Sequence, residues 1–408
     1  VRYLFIHQNT PGQYLHLMGR LLRSKRNDLV TIGLPAAPGL EGVRKVVYDV
    51  PRSSKAVHPH ALDFDMAMAR AQAVARAAFQ LQRLGFKPDI VLGHHGWGEL
   101  LNIRDVWPDV PLLGYLEFYY HTEGADVNFD PEYPLADENR PRVRARNAVN
   151  LLALQLGAGA QTPTRWQRST YPVWARRSIR LIPEGVDLTR CQPDPSLRTK
   201  RFTLPGTGTI LPPGTPLLTY VARNLEPYRG FHIFMRALPR ILRERPNLHV
   251  AIAGENGVSY GVPPRGARTY REALMKEVGD QLDTARVHFL GRIPYDSHVS
   301  LLQRSDVHVY LTYPFVASWS LREAMACGCM LVASDTAPVR EFLADGKNAL
   351  LTPFHSAEAL SERVLQAVDD DALAQRLRRS VRRRAERTLS LDQHLAAFDE
   401  AIRDEVRR

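Results

Sequence analysis

The chain has 408 residues, 44% hydrophobic and 24% charged, which suits a globular protein with more than one core and excludes a disordered or fibrous chain. Its net charge of +11 fits nucleic acid, an acidic membrane face or an anionic small substrate as partner, or a generally basic soluble protein with none of these. No apolar run approaches the ~18 residues of a membrane-crossing helix. No charged leader opens the chain, and the three cysteines lack zinc spacing, so they read as reduced thiols of a cytoplasmic protein.

The first element is the strand RYLFIHQ. The turn NTPGQ follows, then a helix with Tyr14, Leu15, Met18, Leu21 and Leu22 at helical spacing. Asn9 or Thr10 can cap it, and Pro11 suits its first turn. An Ala-rich helix covers 66–84 and closes at Gly85. DIVLG (89–93) is a strand leading to the loop HHGWGE. PLLGYLEFYY (111–120) reads as a buried strand with its own long loop. A helix over about 138–156, the strand GAGAQ, a Thr-capped helix at 164–171 and IRLIP (179–183) complete the first half. Residues 191–216, rich in Pro, Gly and Thr, read as a linker. Alternation resumes with PLLTYVAR, the helix GFHIFMRALPRILRE, LHVAIAG, a helix over 268–282, VHFLG, a helix over 296–304 and DVHVYLTY. The tail from 356 is helical, and its RRSVRRRAERTLS run reads as a solvated face or a contact with phosphate or lipid. The alternation predicts an α/β architecture: two domains with parallel sheets, ligands at the carboxyl ends of the strands and a cleft between the domains.

Two stretches carry chemistry. In YLTYPFVASWSLREAMACGCMLVASDTAPVREF, helices starting near Ser320 and Pro338 each follow a strand end, and such N-termini attract anions. Glu323 in the first of them can accept hydrogen bonds from hydroxyls. In VARNLEPYRGF, Arg223 and Arg229 flank a strand-to-helix loop and can chelate a diphosphate, unless Glu226 simply neutralises one of them. DFD (63–65) and DDD (369–371) read as helix caps and solvated charge rather than metal ligands. No Gly-x-Gly-x-x-Gly follows the first strand and no phosphate loop occurs, which argues against NAD and against a kinase. WQRSTYPVWARR (166–177) mixes aromatics with arginines, as a lipid interface does, or as a packed Trp pair with exposed arginines does.

The segments IRLIPEGVD, VARNLEPYRGF, HVAIAGENG, VHFLGRIPYDSHVSLLQRSDVHVYLTYPF and SLREAMACGCMLVASDTAPVREFLADGKNALL, in this order, resemble the retaining family 4 glycosyltransferases of the GT-B fold. The resemblance implies two Rossmann-like domains facing across a cleft. Residues 1–190 would bind the acceptor, 217–385 the nucleotide sugar, and the helix 386–408 would pack back on the first domain. It also implies transfer of a sugar from a UDP- or GDP-sugar to a glycan or other hydroxyl acceptor, with no cofactor, no metal and no nucleic acid. Arg223 and Arg229 match the basic pair on the donor diphosphate, with Arg229 where Lys is usual. Gly254 and Glu255 match the turn beneath the nucleotide, and Arg292 and Ile293 the loop at the base. Glu323 matches the second Glu of the Glu-x7-Glu motif, which binds the ribose. Ala337 and Pro338 match the loop beside sugar and phosphate. Phe315 stands where the first Glu, which reaches the sugar, is usual; backbone amides at Ala317, Ser318 and Trp319 are the replacement contacts. On the acceptor side the ordered candidates are Glu117, His121 and His94, and Gly12 fits the approach to the donor phosphates. Cysteine usage places the chain in the cytoplasm, and the 166–177 stretch offers peripheral contact with an anionic membrane. Alternatives are a non-catalytic sugar-nucleotide binder and a sugar-nucleotide epimerase of the same fold.

Overall fold

A computed structural model describes residues 1–50 and 56–407. The chain divides into two compact units, 1–185 with 391–408 and 186–390. The first holds seven parallel strands: β1 (Arg2–Ile6), β2 (Asp28–Gly33), β3 (Arg44–Val47), β4 (Ile90–His94), β5 (Leu112–Tyr115), β6 (Gly159–Thr162) and β7 (Ile179–Leu181). Their order is β3-β2-β1-β4-β5-β6-β7. The near-continuous apolar runs arise because both faces of a parallel sheet are covered. Side chains alternate across β1. Leu4 and Ile6 pack with Val74, Ala78 and Leu81 of the helix Leu62–Arg83. Tyr3 and Phe5 face Leu17, Met18 and Leu21 of the helix Leu15–Leu22.

That second face is completed from the far end of the chain. The helix Leu391–Arg407 adds Leu395, Phe398, Ala401 and Ile402 to the same cluster. His394 Nδ1 donates to the Pro183 carbonyl at 2.7 Å, and Arg180 pairs with Asp404 at 2.7 Å.

The second unit opens with the short antiparallel pair β8 (Phe202–Thr203) and β9 (Ile210–Leu211). Then come six parallel strands: β10 (Leu217–Asn224), β11 (His249–Glu255), β12 (Val287–Gly291), β13 (Val307–Tyr310), β14 (Leu331–Ser334) and β15 (Leu350–Thr352). Their order is β12-β11-β10-β13-β14-β15. Residues 191–216, read as a linker, group with this unit, where Phe202, Leu204 and Leu211 pack beside Leu217 and Ala251.

Three expectations need correction. The strand over 111–120 ends at Tyr115. Beyond it, Tyr119 N–H donates to Thr170 Oγ1 and Tyr120 N–H to Asn147 Oδ1, and these bonds draw the backbone out of the sheet. The helix near Pro338 is one turn, Ala337–Arg340. The arginine-rich tail is not merely a solvated face. Arg376 donates to the carbonyl of Gly346, Arg382 to those of Cys191 and Ala326, and Arg384 to that of Phe342, which fixes the helix Asp371–Thr388 to its own unit.

Phe398 is 2% exposed, with its ring 6.2 Å from that of Tyr14. Phe398→Ala should destabilise the first unit by about 3–5 kcal/mol. Urea unfolding followed by a probe in that unit checks it.

Candidate active site

The carboxyl edge of the second sheet is built around the crossover after β10. Leu225 N–H donates to the Glu255 carbonyl, and a single 3-10 turn, Pro227–Arg229, leads to Gly230 at φ +66°. A side chain at Gly230 would collide with Leu311, so only glycine lets the helix Phe231–Glu244 start this close to β13. Arg229 is buried. Its Nη1 donates to Thr312 Oγ1 (2.8 Å) and to the Val316 carbonyl (2.9 Å), with the guanidinium 5.2 Å from the Tyr260 ring centre. Burial alone would depress this guanidinium, yet Tyr310, Tyr260 and Glu226 carry its pKa above the ordinary arginine value. Arg223, by contrast, is exposed. The two arginines therefore do different work: one fixes the 312–316 loop, the other faces solvent.

Glu226 is 1% exposed and organises the neighbouring loop rather than simply neutralising an arginine. Its carboxylate accepts backbone N–H bonds from Ser259 (3.1 Å), Tyr260 (3.2 Å) and Gly261 (3.3 Å). Buried carboxylates persist only when so satisfied. The loop then carries Tyr260 into an aromatic group. Tyr228 stacks on Tyr313 at 4.5 Å, and Phe315 meets Tyr260 at 5.0 Å and Tyr228 at 5.9 Å. Phe315 is thus a packed residue of this group.

The helix Trp319–Ala326 begins after Ser318, whose N–H already donates to Tyr310 Oη at 2.8 Å. Ala317 is buried and Trp319 exposed. One turn on, Glu323 Oε2 lies 2.8 Å from His298 Nε2, and both side chains are about nine-tenths buried. Ala337 is exposed and Pro338 buried, in a turn too short to carry much dipole. Gly254 lies so close to β10 that a Cβ would sit 2.8 Å from the Ala222 carbonyl oxygen. Glu255 and Arg292 form a loose, exposed pair at 4.0 Å, and the neighbouring Ile293 packs on the cluster of Leu217 and Leu290.

In the first unit the ends of β1, β4 and β5 gather His7, His94, Trp97, Tyr115 and Glu117. The His94 ring stacks on Trp97 at 4.1 Å, with Tyr115 at 5.0 Å and His7 edge-on at 5.4 Å. Burial holds the His94 pKa well below its ordinary value, helped by His7 and His95, so the ring is neutral. Gly96 N–H donates to its Nδ1 (2.9 Å), which puts the ring proton on Nε2, 3.8 Å from Glu117 Oε2. Glu117 keeps a quarter of its side chain exposed. Gly12 has φ +48°, and a Cβ there would meet the His7 ring at 2.6 Å. His121, an acceptor-side candidate, bonds through Nε2 to the Thr170 carbonyl at 2.7 Å.

Sequence reasoning missed His7, Trp97 and Glu99, and saw Glu226 only as a counter-charge to an arginine. The HHGWGE loop held the signal for two of them, since a Trp and a Glu after a strand end are chemistry-bearing types. Glu99 is fully buried and accepts from Tyr48 Oη. Burial pushes its carboxyl up to about 7, against the pull of Tyr48 and Arg70. A carboxyl raised on folding leaves stability intact below its unfolded value, here 4.5, and removes it as pH rises toward 7. Glu99→Gln should therefore flatten the fall in stability between pH 4.5 and about 7 and make the first unit more stable at pH 8, as thermal melts across pH would read.

Two family profiles match in tandem: residues 25–191 match "Glycosyl transferase family 4 group" and residues 209–384 "Glycosyl transferases group 1". The phosphatidyl-myo-inositol mannosyltransferase of Mycolicibacterium smegmatis is 27% identical over 197 residues, 47% of this chain and 43% of that protein. A glycogen synthase of Mycobacterium tuberculosis is 28% identical over 171 residues, 42% of this chain and 38% of that protein. The chain spans less than half the length of these curated relatives. Sucrose-phosphate synthase from Thermosynechococcus elongatus superposes with a TM-score of 0.72 at 17% identity, covering 99% of this chain and 98% of that one. Anabaena HepE in complex with UDP does so at 0.69 and 16%, covering 99% and 100%. These structures establish a GT-B fold. With both halves matched in order and both large sheets parallel, the chain belongs to the family 4 / group 1 glycosyltransferases.

Proposed function

We propose that this chain moves a hexose from a UDP- or GDP-sugar to an acceptor hydroxyl, with retention at the anomeric carbon and without a metal ion, in the synthesis of a glycan or glycoconjugate. Its partners in this reading are the nucleotide sugar, a glycan or other hydroxyl acceptor, and an anionic membrane met peripherally from the cytoplasmic side. The observation that carries the reading is the ordered carboxyl edge of the second sheet, where an exposed Arg223 precedes the Arg229-anchored loop and Glu323 is set against His298.

The chemistry is mainly positioning and charge. Arg223 supplies the direct contact with the leaving diphosphate. Arg229 contributes a fixed positive charge and holds the 312–316 loop. The N-terminus of the helix Trp319–Ala326 adds its dipole. Glu323 accepts hydrogen bonds from the ribose. Gly254, Glu255, Arg292 and Ile293 lie beneath the base, with Ala337 and Pro338 beside the sugar and phosphate. On the acceptor side, Glu117 receives a hydroxyl, and neutral His94 presents an N–H toward it. A donor phosphate oxygen takes the acceptor proton on the face that the leaving group vacates.

One observation favours a second reading, a sugar-nucleotide binder without turnover. Phe315 is packed among Tyr228 and Tyr260 where the family resemblance expects a carboxylate reaching the sugar. Product analysis with and without acceptor separates the two.

Thermal shift with UDP, GDP and ADP should single out one base, since a ligand at 100 times its Kd adds about 2.7 kcal/mol. Arg223→Ala should weaken that nucleotide about 10–100-fold with Tm unchanged, the loss of one charged hydrogen bond. Arg229→Ala should instead lower Tm as well, because it frees Thr312 and the Val316 carbonyl inside the protein. An equal affinity in Arg223→Ala would remove that residue from the diphosphate contact.

A further inference from the structure

We propose that the face of the first unit formed by residues 165–177 is a docking surface for an anionic lipid membrane. Two short helices, Arg165–Thr170 and Val173–Arg176, are joined through Tyr171 and Pro172. Tyr171 anchors the pair. It is fully buried against Leu116, Ala153, Ala175 and Ile179, and its hydroxyl bonds to Asn150 Oδ1 at 3.3 Å. The aromatics of this stretch thus part company. Tyr171 is core, whereas Trp174 is 68% exposed and Val173 beside it 75% exposed.

Cations flank this apolar tip in the sequence. Arg165, Arg168, Arg176 and Arg177 line one open recess of about 280 Å³ together with Ser169. Arg176 is oriented by its Nε–H bond to the Tyr171 carbonyl at 2.6 Å. Several other arginines of the unit pair with carboxylates, as Arg20 does with Asp399 and Arg180 with Asp404. Among the described residues, Arg168, Arg176 and Arg177 have no carboxylate within ion-pairing distance. These three guanidiniums therefore carry positive charge that no carboxylate of the described residues pairs with.

An indole and a branched aliphatic that are neighbours in the chain, flanked in sequence by the guanidiniums of Arg168, Arg176 and Arg177, match the layering of a membrane face. The Val–Trp tip reaches the boundary of headgroups and acyl chains, and the arginines stay at the level of the phosphates. A single-stranded nucleic acid would be served better by a long cationic groove with aromatics spaced along it. Here the cations converge on one recess, and the exposed apolar pair stands together.

The test is co-sedimentation of the full chain with phosphatidylcholine vesicles, with or without phosphatidylglycerol, at low and high salt. Binding should require phosphatidylglycerol and be lost at high salt. Replacing Arg168, Arg176 and Arg177 with Gln should lower the partition about fivefold per arginine. A Val173→Ser and Trp174→Ser double variant should also bind less, with an unchanged melting temperature. Equal binding to both vesicle types, no binding at low salt, or undiminished binding of these variants would overturn the proposal. So would retention of a single-stranded oligonucleotide, lost in the same variants, by a chain that ignores vesicles. No sugar nucleotide enters the assay, so its failure leaves the transfer reading standing, and failure of transfer leaves this surface standing.

Discussion

A positive charge taken out of water at the end of β10 governs the second unit. The Arg229 guanidinium is tolerable there only because Thr312 and the Val316 carbonyl accept from it, an aromatic ring lies alongside, and Glu226 is close enough to favour the charged form. Glu226 is itself buried, and three backbone N–H groups satisfy it. One buried ion thus fixes the 312–316 loop directly and the 259–261 loop through its neighbour. Those two loops bring Tyr228, Tyr260, Tyr313 and Phe315 into contact. Much of the rigidity of this sheet edge descends from a residue that the sequence alone presents as a ligand contact.

The first unit uses the opposite device. Its strand ends hold imidazoles kept neutral by burial, with His94 sandwiched among Trp97, Tyr115 and His7. Because the Gly96 N–H occupies Nδ1, the tautomer is set by the backbone and the ring proton sits on Nε2, 3.8 Å from Glu117 Oε2. His95 is likewise held down, to about 4, by burial against Gly114, where any side chain would overlap its ring. The second unit's sheet edge is cationic, and the first unit's strand ends carry neutral hydrogen-bonding rings.

The alternation of apolar strands with amphipathic helices was legible because each strand is buried on both faces and each helix on one, so the periods survive in the sequence. Strands β2 and β3 were not. β3 carries Arg44 and Lys45 at the sheet edge, where one side needs no apolar cover. The end of β5 was overread because LEFYY is as apolar as a strand. What ends β5 is a set of hydrogen bonds to Asn147 and Thr170, residues distant in sequence. Glu323, Arg223 and the glycine turns were legible as residue types after strand ends. The burial of Arg229, the His298 partner of Glu323 and the loop-capping role of Glu226 depend on tertiary contacts that no local pattern records.

The helix Leu391–Arg407 has a consequence for synthesis. It lies beyond the whole of the second unit in the chain, yet Leu395, Phe398 and Ile402 close the core of the first. During translation the second unit emerges from the ribosome complete while the first still lacks a wall, with Leu17, Met18 and Leu21 uncovered. The unit that is made first is therefore the one finished last, and in the interval its open apolar side is the natural target for a chaperone.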